Sequence, residues 1–199
     1  MHPRCCRSRS TGRAPPSGRI AGTSSSSSAG ADAPALNTIA AQHNSTLFMA
    51  VHAAFAVLLS RLSGTGDVTM GTPVAGRGQA VLDDVVGMFV NTLVLRTVVD
   101  PRASFGEVLT AVRAVDLGAF EHADIPFERL VDHLAPERST SHTPLFQVLI
   151  EFRNAEGTHL ELPGLTVDSL DVDLRVAKFD VELSVAEQVD EDGAPAGLA

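Results

Sequence analysis

Between Asn44 and Gly64 the apolar residues fall at helical spacing, and directly after Gly64 the pattern becomes that of a strand. Phe48, Val51, Phe55, Leu58, Leu59 and Leu62 repeat every three to four positions, which places them on one face of a helix. Asn44-Ser45 supplies an N-cap and Gly64 a stop, so Ser45 to Leu62 reads as a mostly buried amphipathic helix. A Gly-Thr-Gly-Asp turn then leads into a short apolar strand, Val68 to Pro73. A buried helix running straight into a strand requires a layered α/β arrangement.

The rest of the chain extends that reading. Met88 to Val99, rich in Val, Leu and Thr, reads as a second strand. Ser104 with Glu107 makes a capping box for a helix carrying Phe105, Val108, Leu109, Val112 and Val115 at helical period and reaching Phe120. Pro126 opens a short helix through His133, with Phe127, Leu130 and Leu134 on one face. Leu145 to Phe152, Leu165 to Val172 and Phe179 to Val185 read as strands, the last strictly alternating through Phe179, Val181, Leu183 and Val185. Helices and strands mix without a regular βαβ repeat. The expected fold is therefore a two-layer α/β sandwich, a mixed sheet with helices on one side.

Charge divides the chain. All 24 acidic residues lie at or beyond Asp32, whereas Arg4, Arg7, Arg9, Arg13 and Arg19 precede it. Residues 1–35, rich in Arg, Ser, Gly and Pro, lack the apolar surface to offset chain entropy and are expected to be a disordered leader. An organelle transit peptide is the alternative for such an acid-poor start. Residues 36–190 form the expected folded body, and 191–199 a frayed tail. The net charge of −9 argues against nucleic acid or an anionic membrane as partner. Cys5 and Cys6 are the only cysteines and adjoin each other, so no disulfide framework holds the body, which fits a cytoplasmic location. The longest apolar run, Leu47 to Leu59, is too short for a membrane span.

Several short blocks carry a more specific message. Gly71-Thr72-Pro73-Val74-Ala75-Gly76-Arg77 is followed by Val86-Gly87-Met88-Phe89-Val90-Asn91-Thr92-Leu93-Val94-Leu95-Arg96. Then come His122-Ala123-Asp124-Ile125-Pro126-Phe127-Glu128, Arg138 to Val148 ending in Pro144-Leu145-Phe146-Gln147-Val148, and Ala177-Lys178-Phe179-Asp180. In this order the chain, over about residues 36–190, resembles the second half of a nonribosomal peptide synthetase condensation domain, in the chloramphenicol acetyltransferase-like superfamily. The Gly-Met-Phe-Val-Asn-Thr-Leu and His-x-Asp-x-Pro-Phe-Glu wording separates it from the related epimerisation domains.

The resemblance implies a CoA-dependent acyltransferase-like lobe, one of two that enclose a tunnel. In that family carrier proteins bring thioester-bound acyl and aminoacyl groups on 4'-phosphopantetheine arms, and the domain joins them by an amide bond. The catalytic signature, H-H-x-x-x-D-G, belongs to the first lobe, where a histidine suits general-base chemistry. The seven histidines here are His2, His43, His52, His122, His133, His142 and His159, and no two adjoin, so the signature is absent and no catalytic residue carries over. The expected partners are carrier proteins and the missing N-terminal lobe. No cofactor is expected to bind directly.

Supporting roles do carry over. The resemblance makes Arg77 a candidate to pair with the Asp of the catalytic signature, with a surface arginine as the other reading. It places Asn91 in the block lining the tunnel, where its amide would bond substrate or pantetheine, or else clasp a turn or backbone. Gly87, Asp124, Pro126 and Phe127 are expected to support the site structurally. His52 reads as a helix-surface or satisfied core residue, and His122 as no catalytic base. Arg138, Ser139 and His142 read as turn chemistry rather than a Ser-His site. No phosphate-binding glycine loop or metal-site spacing is present.

Overall fold

The structure, a computed structural model of the chain, describes residues 28–29, 32–76, 78, 80–82, 84–136, 142–153, 178–189 and 195–198. Six strands form one mixed sheet: β1 (Ser28–Ala29), β2 (Asp67–Ala75), β3 (Val90–Val98), β4 (Val148–Arg153), β5 (Val181–Val189) and β6 (Pro195–Leu198). Their order is β1-β6-β5-β4-β2-β3. The β2–β4 and β4–β5 pairs are parallel, and β2–β3, β5–β6 and β1–β6 are antiparallel. Among the described residues four α-helices accompany the sheet: α1 (Asp32–Gln42), α2 (Leu47–Ser63), α3 (Phe105–Glu121) and α4 (Phe127–Leu134).

The strand register explains where the core lies. Val68 and Met70 of β2 stand opposite Thr97 and Leu95 of β3, so all four share a sheet face. Val148 and Ile150 of β4 continue that face, with Val185 of β5. Against them pack α1 through Ala40, α2 through Ala50, Ala53, Phe55 and Leu59, and α3 through Val108, Leu109 and Val112. Met70, Leu95, Leu109 and Ile150 are fully buried. Each such side chain contributes about 1.5–3 kcal/mol by leaving water.

The helix ends follow the sequence closely. Ser104 accepts from the Glu107 N–H, and the Glu107 carboxylate accepts from the Ser104 N–H at 2.7 Å, the reciprocal box expected. For α2 the N-cap is Thr46 rather than Asn44-Ser45. Its hydroxyl accepts from the Met49 N–H at 3.3 Å, because Thr46 is the residue that sits in extended backbone one step before the first helical turn. Gly64 ends α2 in left-handed backbone, φ 70°.

Three expectations are corrected. The leader's boundary at residue 35 falls inside α1, whose Leu36, Ile39 and Ala40 pack against the core; with only two large apolar residues among scattered alanines, the period is too weak to see. The tail expected to fray over 191–199 contains β6, which pairs with β5 through backbone bonds that need no side-chain pattern. Along α2, Val51, Phe55 and Leu59 are buried as expected, but Leu58 is 51% and Leu62 75% exposed, and Ala50, Ala53 and Ala56 complete the buried face. The strand expected at Leu165 to Val172 lies outside the described residues. Among the described residues no single helix is long and apolar enough to cross a membrane; α1 and α2 reach that length only as a pair, and they meet at 95°.

Candidate functional site

The sequence blocks, far apart along the chain, meet in space. A loop leaves β2 at Gly76 and returns to β3 through Phe89. It is closed at its neck by the Gly76 N–H bonded to the Phe89 carbonyl at 2.8 Å. A Cβ at Gly76 would overlap that carbonyl, so this neck accepts only glycine. Gly87 lies on the same loop and is exposed. Around it Val81, Val86, Met88 and Val90 are also exposed, with Val86 fully so. Arg77, next in sequence after Gly76, lies outside the described residues.

Asn91, the second residue of β3, then reaches across to the link between α3 and α4. Its amide nitrogen donates to the Ala123 carbonyl at 2.9 Å and the Ile125 carbonyl at 2.8 Å. Its oxygen accepts the Phe127 N–H at 3.1 Å. Both donors and the acceptor are therefore committed to backbone groups of the His122–Glu128 block. That block turns through Asp124 and Ile125 and starts α4 at Phe127, with Pro126 as the N-cap in extended backbone. Pro126 has no N–H to leave unpaired at this position.

Phe127 is half-buried and meets Phe146 edge-on, ring centroids 5.7 Å apart. Phe146 is 2% exposed and stacks on Phe179 at 5.5 Å. Its ring also fills the place where a Cβ would stand on Gly71, so the first block closes on the fourth. Phe146 is aimed by an unusual turn. Leu145 takes φ 67°, the Phe146 N–H bonds the Pro144 carbonyl at 2.8 Å, and Gln147 Nε2 donates to the Thr143 carbonyl at 2.9 Å. A leucine in left-handed backbone is strained, and no local pattern in the sequence signals it.

An open groove of about 910 Å³ runs beside this junction, lined by Asp124, Ile125, Pro126 and the α4 residues Arg129, Leu130, Asp132 and His133. No residue of α4 is fully buried, and Leu134, expected on its packed face, is 55% exposed. His122 caps α3 at the surface, and among the described residues His142 hydrogen-bonds the Thr143 carbonyl at 3.3 Å. Arg138 and Ser139 lie outside the described residues. Among the described residues no set of three or more His, Cys, Asp or Glu side chains is spaced to hold a metal ion.

One polar cluster is not visible in the sequence. His52 is a core residue, fully buried, with Nδ1 2.9 Å from Asp116 Oδ1 and Nε2 3.3 Å from Thr97 Oγ1. The available signal is Asp116 itself, which falls four residues after Val112 on the buried stripe of α3.

An acyltransferase-like α/β lobe built around these blocks has known counterparts. The family described as Condensation domain matches residues 11–193. The chain is 48% identical over 160 residues to the isonitrile lipopeptide synthase of Mycobacterium tuberculosis, covering 80% of the chain and 6% of that protein. It is 41% identical over 163 residues to a dimodular nonribosomal peptide synthase of Bacillus subtilis, covering 82% and 7%. The chain thus spans only a small part of the length of either relative. In structure it resembles the X-domain from teicoplanin biosynthesis, at TM-score 0.76 and 26% identity over 82% of the chain and 37% of that one. The condensation domain of the Monacolin K polyketide synthase MokA gives 0.67 and 25%, over 83% and 38%. The chain belongs to the condensation-domain family.

Proposed function

We propose that the chain is the second lobe of a condensation domain and forms one wall of the tunnel in which a carrier-bound acyl group meets a carrier-bound amine. The product of the whole domain is an amide bond. The observation that carries this reading is the convergence of the family's blocks at Gly71, Asn91, Phe127 and Phe146. They support one another as a framework and present no catalytic group of their own. In this reading Arg77 braces the catalytic Asp of the first lobe. Gly87, Asp124, Pro126 and Phe127 hold the wall in shape.

The partners proposed are peptidyl or acyl carrier proteins bearing 4'-phosphopantetheine, together with a first lobe holding the H-H-x-x-x-D-G signature. The setting proposed is cytoplasmic secondary metabolism, in line with the peptide synthases among the relatives. The purified chain given loaded carriers is expected to form no peptide. Turnover by the chain alone would overturn the reading.

A second reading is a non-catalytic module that docks a carrier or a separately encoded first lobe. The exposed apolar loop around Val86 and Met88 favours it, because a patch of this kind marks a contact surface. Mixing the chain with a separately made first lobe tests both at once. Restored condensation supports the catalytic reading, and binding without turnover supports the docking one.

A further inference from the structure

Three polar side chains meet inside the apolar layer between helices and sheet. His52 comes from α2, Asp116 from α3 and Thr97 from β3, and each is 0% exposed. With Asp116 as its carboxylate, which has no hydrogen to give, the 2.9 Å contact between Asp116 Oδ1 and His52 Nδ1 puts the hydrogen on Nδ1. Nε2 is then left with its lone pair, and the Thr97 hydroxyl, 3.3 Å away, is the donor that meets it. The second carboxylate oxygen of Asp116 has no hydrogen-bond partner among the described residues.

We propose that Asp116, His52 and Thr97 form a directed hydrogen-bond relay that sets the register in which α2 and α3 seat on β3. Stability alone does not account for it. Apolar residues of similar size would fill the same space without taking a carboxylate and an imidazole out of water. Register does draw on it. The buried face of α2 carries the small Ala50, Ala53 and Ala56 beside His52, with the larger Met49, Val51, Phe55 and Leu59 spread along it. Close to His52 the helix approaches on small, similar side chains, and apolar contact there carries no direction. A bond from a fixed point on α2 to fixed points on α3 and β3 adds that direction.

The consequence reaches the blocks described above. Asp116 lies two helical turns before Ala123, whose carbonyl, with that of Ile125, is held by Asn91. A slip of α3 would carry those carbonyls away from Asn91. His52, Asp116 and Thr97 are thus positioning residues that act through α3. The relay stands on core geometry and is independent of any condensation activity.

The first test is made on the unsubstituted full chain. Nitrogen NMR of the His52 ring at neutral pH is expected to show hydrogen on Nδ1 and none on Nε2. A ring bearing its hydrogen on Nε2 alone would overturn the relay. T97V should shift the Nε2 resonance, and T97S should restore it; no shift in T97V overturns Thr97 as the donor.

The second test separates register from stability. D116A and H52A should each lower the folded-to-unfolded ratio by about a hundredfold or more, since each leaves a buried partner unpaired. H52L/D116L should recover much of that loss and yet leave the Asn91 side-chain NH2 exchanging several-fold faster with solvent. Recovered stability with unchanged Asn91 exchange would overturn the register role, as would strictly additive losses in the double variant.

Discussion

The Asn91 side chain accepts the Phe127 N–H at 3.1 Å and returns both of its own hydrogens to the two carbonyls just before it, at Ala123 and Ile125. A strand and a helix start are thereby joined by one amide. The two blocks are more than thirty residues apart in sequence and a hydrogen-bond length apart in space. All three bonds go to backbone groups of the partner block, so a substitution at Asn91 tests the clasp alone.

Replacing Asn91 by Ala removes three bonds from a half-buried site. Each contributes on the order of 1 kcal/mol net, so N91A should lower stability by about 2–3 kcal/mol in urea unfolding. N91D should be at least as damaging near neutral pH, since a carboxylate keeps the acceptor but faces two carbonyls with nothing to donate. A stable N91D would show that the donor bonds contribute nothing.

Gly71 and Phe146 make a second test. A methyl group on Gly71 meets the Phe146 ring, and that ring is held between Phe127 and Phe179. G71A should therefore cost about 1–3 kcal/mol through overpacking. F146L removes the flat ring and should relieve part of that clash, so G71A/F146L should be less destabilised than the sum of its parts. Additivity would mean that the ring moves aside freely.

Acid stability should carry a distinct signature. Arg96 bonds Asp67 through two contacts, 2.9 and 2.8 Å, and this holds the Asp67 carboxyl below its usual range. The Ser104 hydroxyl and N–H do the same for Glu107. Both carboxyls thus release protons more readily in the folded chain. Their contribution is complete above the ordinary carboxylate range, about pH 4, and is lost as pH falls through the lower folded values. The Asp67 pair is exposed, 57% at Arg96, so it contributes only about 0.2–1 kcal/mol. D67N should flatten the acid limb of the stability–pH curve without altering stability slope near pH 7. An unchanged acid limb would remove the pair from the account.

How much of this is legible in the sequence depends on the kind of signal. The helices α2 and α3, the strands β2 and β3, and the Ser104–Glu107 box follow from period and capping, which are local properties. The short α1 and β6 do not, because one is weakly apolar and the other is held by backbone pairing. The backbone clasp at Asn91 is one of two readings open to the sequence, and only the fold shows which atoms its amide meets. His52 reads correctly as a core residue, but its pairing with Asp116 joins residues 64 apart, a distance over which no local period speaks. The strain at Leu145 has no sequence signature at all, since glycine or asparagine would be the usual choice for φ 67°.

The exposed loop yields the prediction that bears most directly on assembly. Val86 is fully exposed and Met88 is 89% exposed, beside Val81 and Val90. Neither Val86 nor Met88 belongs to the buried core, so charging them should leave folding intact. V86K/M88E should keep the thermal midpoint within a degree or two, because surface substitutions away from packed features change stability by only about 0.5 kcal/mol. The same variant should self-associate less, as read by sedimentation at rising concentration, because an exposed apolar patch is what drives such contacts. It should also bind a separately made first lobe at least tenfold more weakly than the unsubstituted chain if the loop is the surface on which that lobe sits. Equal binding with reduced self-association would assign the loop to contacts between copies of this chain and place the lobe interface elsewhere.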